Sequence, residues 1–347
     1  INRVGNYVIA FKEWTTEYFY DAKTTPVPIA PVESGYSQIG CASGTSVVNI
    51  EGALIWMSQT RQRGRGVYVM TGLQQNKIST PAVERILNKD DLATVYSLGL
   101  KLDGHTIYLL TLVTSNITLA YDLNSGKWSQ WSSLTLGSSK SVSSITRVGT
   151  TATVTTATAH TLVDGDPVKQ SGANQSEYNG IFQISYVSPT VYTIEVATTA
   201  TTPATGTILA YPYTESYFKF TKYVDFDGNN LLLHESDGHL YSIQSTLLQD
   251  AGIPINIFTR SRRLDGGNLD PKSMGELKVV GDKTLDTMMV RWSGDDSGTF
   301  SKYRRVTLSY PVPMLRQCGS FERRSVETRY VGNYPLHLEA LELDIGT

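Results

Sequence analysis

The side chains in this chain that could do chemistry are few and scattered. Its five histidines are His105, His160, His234, His239 and His337. None has the spacing of a metal pair on a helix or the company of a nucleophile motif. His105 follows a turn glycine and opens a strand pattern, so a packing role fits it better than a chemical one. Asp225-Phe226-Asp227-Gly228-Asn229-Asn230 has the look of a calcium loop. Counted from Asp225, however, Asn230 stands where glycine is needed and Ser236 where a glutamate should bind. A hairpin turn accounts for those residues. Glycoside hydrolysis needs two carboxylates held across a cleft, and Glu51, Glu84 and Asp122 cannot be paired from spacing alone. No GxxxxGK phosphate cradle occurs. The sequence therefore assigns no catalytic residue, no cofactor-binding residue and no metal ligand, and it calls for no cofactor.

Arginine is the exception. Arg61-Gln62-Arg63-Gly64-Arg65-Gly66 is the sharpest charge run, and Arg260, Arg262 and Arg263 form a second group. Both could touch phosphates or an acidic partner, since arginine is favoured at interfaces and on phosphate oxygens. The plainer reading of the first run is a solvated hairpin loop between Met57 and Val67. Ser293 to Phe300 is similar to the Asp-box turn of sialidase-type propellers, with one residue too many and Phe300 in the tryptophan's place. Such a turn braces a hairpin and carries no hydrolysis.

These residues must be positioned by a mostly β framework. Tyrosine is abundant at 20 residues, and long helical patterns are scarce. The formal net charge of −2 gives no global pull towards DNA or an anionic membrane. Cys41 and Cys318 are the only cysteines, which excludes a disulfide scaffold and a cysteine zinc site and suggests free thiols. No apolar run is long enough to span a bilayer, so no membrane insertion is expected.

Four times a glycine turn opens into an apolar strand, and a tyrosine-bearing strand answers it. Gly5, Gly52, Gly104 and Gly228 lead; Tyr18, Tyr68, Tyr121 and Tyr241 lie in the answering strands. The lead glycines are 47, 52 and 124 residues apart, and removing the 67 residues 144–210 turns the last interval into 57. A period near 50 residues of short strands is the signature of propeller blades. One helix interrupts them, with Thr80 as cap and Pro81 at its first position; residues 90–98 extend it or form a second short helix. Residues 144–210 are different material, with two Lys+Arg, no tryptophan and 16 threonines. They read as a self-contained small β-barrel or sandwich inserted in a loop. The expected organisation is all-β: propeller blades over 1–143, the inserted domain over 144–210, then blades and a closing blade or flat antiparallel sheet over 211–347. Ile1 falls inside a strand-like unit, so the propeller is expected to be incomplete at its N-terminal end.

From Gly40 to Trp131 the order of motifs resembles the tail nozzle proteins of short-tailed bacteriophages, a family that includes packaged-DNA stabilisation proteins and tail tubular protein B. The resemblance rests on Gly40-Cys41, Leu54 with Trp56-Met57, Gly66-Val67-Tyr68-Val69 and Ile78-Ser79-Thr80-Pro81-Ala82-Val83-Glu84. It continues through Gly104-His105, Tyr108-Leu109-Leu110-Thr111, Leu119-Ala120-Tyr121-Asp122 and Gly126-Lys127-Trp128. Val290 to Asp295 and the arginine-rich strand after Gly319-Ser320-Phe321 look like that family's closing sheet. What the resemblance implies is a non-enzymatic virion protein, assembled in the host cytoplasm. Six copies would form a ring below the portal and adaptor, retaining packaged DNA and anchoring fibres or spikes. Double-stranded DNA would pass through without specific binding, and the closing sheet or the Cys318 region would lie near subunit contacts. The insert resembles small β domains that recur in phage structural proteins, marked by His160-Thr161-Leu162, Gly165-Asp166 and Tyr178-Asn179-Gly180. Two rivals stand beside this reading. One is a receptor- or carbohydrate-binding tail protein using Trp14, Trp56 or Trp131. The other is a sialidase-like glycosidase, which would need arginines and carboxylates converging in a propeller mouth.

Overall fold

The strand Ala53–Thr60 shows how the repeat becomes architecture. Successive side chains on a strand point to opposite faces. Here Leu54 and Trp56 enter one buried cluster with Ile9 and Tyr18, while Ile55 and Met57 enter another with Tyr108 and Leu110. Both faces are dry, which is why the sequence reads as an unbroken apolar run instead of an alternation. The computed structural model describes residues 1–295 and 298–346, and these fall into two compact units, Ile1–Ser133 with Ser216–Leu247, and Leu134–Glu215 with Leu248–Thr347.

The first unit is propeller-type, built of four successive antiparallel sheets. Asn2–Val4, Tyr7–Phe11, Thr16–Asp21 and Ile29–Ser37 make the first; Gly40–Cys41 and Val48–Ile50 pair with Ala53–Thr60, followed by Gly64–Thr71 and Gln74–Lys77, to make the second. Val95–Leu102, His105–Leu112, Ile117–Asp122 and Lys127–Leu136, the first four strands of a longer sheet, stand third, and Phe220–Phe226, Asn229–His234 and Leu240–Ser242 make the fourth. One apolar cluster joins sheets one and two, a second joins two and three, and a third, around Leu100, Leu109 and Phe220, joins three and four. Each lead glycine sits in a hairpin turn between two paired strands of a sheet. In Glu51-Gly52 and Asp103-Gly104 both turn residues have positive φ, 53° and 78°, then 49° and 80°. That is the primed hairpin geometry whose twist matches the flanking strands and which glycine adopts at little cost.

The expected helix is Pro81–Lys89, with the Thr80 hydroxyl accepting from the Val83 N–H at 3.4 Å. It does not extend, and there is no second helix over 90–98. Asp90 leaves the helix with extended backbone, and its carboxylate accepts from Leu92 N at 2.8 Å and Ser115 Oγ at 2.5 Å. That carboxylate tie redirects the chain into the strand Val95–Leu102.

In the second unit, residues 144–210 build their own core around Ile145, Val154, Tyr178, Tyr192 and Ile194. In Thr151–Thr156 the residues Ala152, Val154 and Thr156 are buried while the alternate threonines face outward, so the threonine richness is one face of a β layer. The stretch 248–346 departs from the expected blade or single sheet. Ile253–Arg260, Ser325–Gly332, Thr287–Ser293 and Arg304–Thr307 form one sheet. Lys272–Gly281, with Met314–Arg316 and Leu338–Gly346, forms a second. Both enclose one core that includes Leu277, Val290, Val326 and Cys318. A single flat sheet would have left one of those apolar faces wet.

The insert is tied to this sandwich by polar contacts. Asp164 Oδ2 accepts from Tyr303 N at 2.9 Å, Arg329 pairs with Asp166 at 2.8 Å, and Arg305 donates to the Gln183 carbonyl at 2.5 Å. Deleting residues 144–210 should leave the urea transition of the first unit unchanged. It should destabilise the 248–346 sandwich by about 1–3 kcal/mol through loss of these charged contacts, read by hydrogen exchange resolved by segment.

Candidate functional site

Two constellations of arginine with aromatic groups stand out, one in each unit, and the second also holds a carboxylate. In the first unit, Ala53–Thr60 and Gly64–Thr71 are joined by Arg61-Gln62-Arg63. The Thr60 hydroxyl closes that turn, donating to Gly64 O at 3.2 Å and accepting from Arg63 N at 3.1 Å. This leaves Arg61 and Arg63 exposed at the rim of a cleft of about 600 Å³, lined also by Trp14, Tyr36, Gln38 and Tyr68. The Arg61 guanidinium lies 6.0 Å from the centre of the half-buried Trp14 ring, at the outer limit of a cation–π contact. Arg65, two residues on, does something else. Its guanidinium donates to the Leu87 and Asp90 carbonyls at 2.8 and 2.5 Å, capping the C-terminal end of the helix Pro81–Lys89. So the first arginine run divides into two rim cations and one structural cap.

The tryptophans divide the same way. Trp56 is fully buried, with its indole N–H on Gly40 O at 3.0 Å. Trp131 packs edge-on against Phe218 at 5.3 Å. Only Trp14 of the three lines the cleft.

In the second unit, Glu327 is fully buried at the centre of Ser325–Gly332. Arg260 donates to its Oε2 through Nε and Nη2 at 3.0 and 2.7 Å; Arg291 Nε donates to Oε1 at 2.6 Å and the Tyr303 hydroxyl at 2.5 Å. Phe300 lies against both guanidinium groups, at 5.0 Å from Arg260 and 4.4 Å from Arg291. Burial pushes the Glu327 carboxyl up, but the Tyr303 and arginine hydrogen bonds more than offset it, so its pKa ends below the ordinary glutamate range. Burial and the Glu327 charge both push the Tyr303 phenol well up. A tyrosine beside a glutamate and arginines has the composition of a glycosidase site with a tyrosine nucleophile. Here the phenol is buried and held protonated, and both carboxylate oxygens are occupied, so the cluster works as a structural ion network.

Of the second predicted arginine group, Arg260 is thus committed to Glu327. Arg263 stands 3.6 Å from Asp265, and Arg262 is exposed. Sequence spacing missed Glu327, Arg291 and Tyr303 because they are brought together from two strands and the segment that leads into a third. The one available signal was a glutamate in the middle of an otherwise well-packed strand.

The remaining expectations fall to structural roles. His160 is buried, with Nδ1 accepting from Leu162 N at 3.1 Å and Nε2 lying 2.9 Å from Ser188 O. His105 lies 3.0 Å from Asp122 at the surface. Asp227-Gly228 forms the hairpin turn between Phe220–Phe226 and Asn229–His234, in place of a calcium loop. In the Asp-box-like turn, Asp295 accepts from Thr299 N and Oγ1 and from Ser293 Oγ, which lowers its pKa; Asp296 and Ser297 lie outside the described residues. Among the described residues no cluster of His, Cys, Asp or Glu could hold a metal ion, and no helix is long and apolar enough to cross a membrane.

Residues 1–156 match the family model described as Bacteriophage P22 Gp10, beta-propeller. That stretch is similar to a phage tail-associated propeller. It takes in the first three sheets of the first unit and runs to the end of the strand Thr151–Thr156. No curated protein matches the chain. Among solved structures, the phage phi92 endosialidase is similar at 12% identity and a TM-score of 0.20, over 77% of this chain and 46% of its own. The Bacteroides ovatus xyloglucan PUL GH43B is similar at 7% identity and a TM-score of 0.15, over 99% of this chain and 97% of its own. The chain thus spans 46% of the endosialidase's length. Likeness at these scores carries no argument about activity.

Two mutational series separate surface from structure. Arg61→Ala and Arg63→Ala should each change unfolding free energy by no more than about 0.5 kcal/mol, whereas Arg65→Ala should cost about 1–2 kcal/mol by uncapping the helix, all read from urea midpoints. Glu327→Gln should cost about 3–5 kcal/mol at neutral pH by leaving Arg260 and Arg291 without their charge partner. Because the Glu327 pKa is lowered on folding, its contribution is present above the unfolded value of about 4.3 and fades as pH falls through the folded value. The wild type should therefore lose stability from about pH 4 downward, and the variant should show a flatter acid limb in stability against pH.

Proposed function

We propose that this chain is a structural subunit of a phage tail, present as six copies in a nozzle ring below the portal and adaptor. In this reading it continues the DNA conduit, retains packaged DNA and anchors fibres or spikes, without catalysis of its own. The observation that carries it is the match of residues 1–156 to a phage propeller family, a stretch that takes in three sheets of a four-sheet unit whose inner sheets are dry on both faces. The charge balance agrees. A formal net charge of −2 with no basic stripe suits a wall past which DNA must slide, because many phosphate contacts would hold it fast. Rigid wedge-like subunits joined head-to-tail close a ring when the rotation permits.

The cleft at Trp14 favours a second reading, a receptor- or carbohydrate-binding tail protein, because a half-buried indole beside amides and arginines can take a sugar ring. A glycan array separates the two. Under the nozzle reading the purified chain binds no glycan and no double-stranded DNA at physiological salt, turns over no fluorogenic glycoside, and forms particles of six copies in mass photometry. Selective glycan binding by a chain that stays monomeric would replace it with the receptor reading.

A further inference from the structure

The cleft at Trp14 is shaped by two hairpin turns and by the residues that link the first two sheets. Trp14 lies in the turn between Tyr7–Phe11 and Thr16–Asp21, and residues 39–41 of the link hold that turn in place. Cys41 N donates to the Lys12 carbonyl at 2.9 Å, and the Thr16 hydroxyl donates to the Ile39 carbonyl at 2.7 Å. A Cβ on Gly40 would stand 2.1 Å from the Glu13 carbonyl oxygen and 2.5 Å from Trp14 N, so only glycine lets the turn come this close. The other turn, which carries Arg61 and Arg63, is closed by the Thr60 hydroxyl. The aromatic and cationic groups are thus held in place before any ligand arrives, which cuts the ordering cost of binding.

The charged groups lining the cleft are Arg61 and Arg63, and neither has a carboxylate partner among the described residues. The acids close by in sequence are engaged elsewhere: Glu13 accepts from Gln59 at 3.3 Å and Glu17 from Lys12 at 2.5 Å. Two unmatched guanidinium groups offer donors and no acceptor, so they call for a ligand that brings anionic oxygens. The phosphates of a nucleic acid fit poorly, because a formal net charge of −2 leaves no basic stripe for a backbone to follow. A neutral sugar needs acceptors around its hydroxyls, which arginines cannot supply. Tryptophan, tyrosine and arginine together are the composition of the centre of a protein–protein contact. Tyr36, 61% exposed, stands with the two arginines at an open rim, which suits a length of polypeptide laid across it better than an enclosed small molecule.

We propose that this cleft receives an acidic segment of a partner polypeptide, with carboxylates on Arg61 and Arg63 and an apolar or aromatic side chain against Trp14 and Tyr36. The inference rests on the reading of the chain as an anchor for other tail proteins, and it names the surface and the chemistry of what is anchored. The guanidinium–carboxylate pairs set the rate and selectivity of encounter, and the aromatic contact supplies the buried area.

The test selects a displayed library of random peptides on the full chain and measures the selected peptides by fluorescence polarisation against two variants, Arg61→Glu with Arg63→Glu, and Tyr36→Ala. Both change exposed side chains and should keep the wild-type circular dichroism melt. Selected peptides should be rich in aspartate and glutamate beside an aromatic or aliphatic residue. They should bind the double variant about tenfold or more weakly, bind Tyr36→Ala more weakly too, and lose affinity with added salt. Selected peptides without acidic enrichment, or binding that both variants retain, would overturn the proposal. So would a sialylated or uronic-acid oligosaccharide that binds the wild type and not the double variant while no peptide is selected, which would give the cleft to a sugar. Mass photometry of the same protein reads the ring separately. Acidic peptides bound by a chain that stays monomeric would support this inference and remove the ring reading, whereas a ring of six copies that selects no peptide would overturn this inference alone.

Discussion

A short β-sheet with two apolar faces cannot leave either face in water, and the first unit is organised by that constraint. Ala53–Thr60 sends Leu54 and Trp56 to one neighbour and Ile55 and Met57 to the other. His105–Leu112 does the same, with Tyr108, Leu110 and Leu112 on one side and Leu109 on the other. Each inner sheet is thus half of two cores. A buried aliphatic or aromatic side chain contributes about 1.5–3 kcal/mol, so losing one sheet would unmake both neighbours' packing. The result is a stiff stack whose loops, including Arg61-Gln62-Arg63, are free to vary without cost to the frame.

The second unit meets a different constraint. Its sandwich buries a carboxylate, and a buried charge is tolerated only when fully paired. Glu327 draws Arg260, Arg291 and Tyr303 from three other segments, and Phe300 covers the two guanidinium groups. Arg329 and Tyr303 then carry the network outward to Asp166 and Asp164 of the insert. Residues with the composition of a catalytic centre are thereby spent on fixing strand register and domain attachment. The same saturation that stabilises them removes the free lone pairs and the ionisable phenol that hydrolysis would need.

Much of the frame was legible in the chain because its causes are local. Asp103-Gly104 requires positive φ, Thr80-Pro81 starts a helix, and the threonine-rich stretch alternates with period two, all within a few residues. The departures are long-range. Asp90 ends its helix through Ser115, which is 25 positions away. The fate of Arg65 depends on a helix end, and that of Arg260 on a glutamate 67 residues later. Spacing therefore found the arginine groups but could not separate the exposed Arg61, Arg63 and Arg262 from the committed Arg65 and Arg260. The sandwich was missed for the same reason, since its facing sheets share few turns.

Stiff sheets, a spent charge cluster and a near-neutral surface all suit a protein that works by shape. The role proposed for it is a place in the tail, and a cryo-EM map of intact phage tails tests that directly. The account predicts six copies of this chain around the DNA axis, each with its four-sheet unit resolved as a rigid body. Single copies at the tips of peripheral fibres, away from that axis, would contradict it.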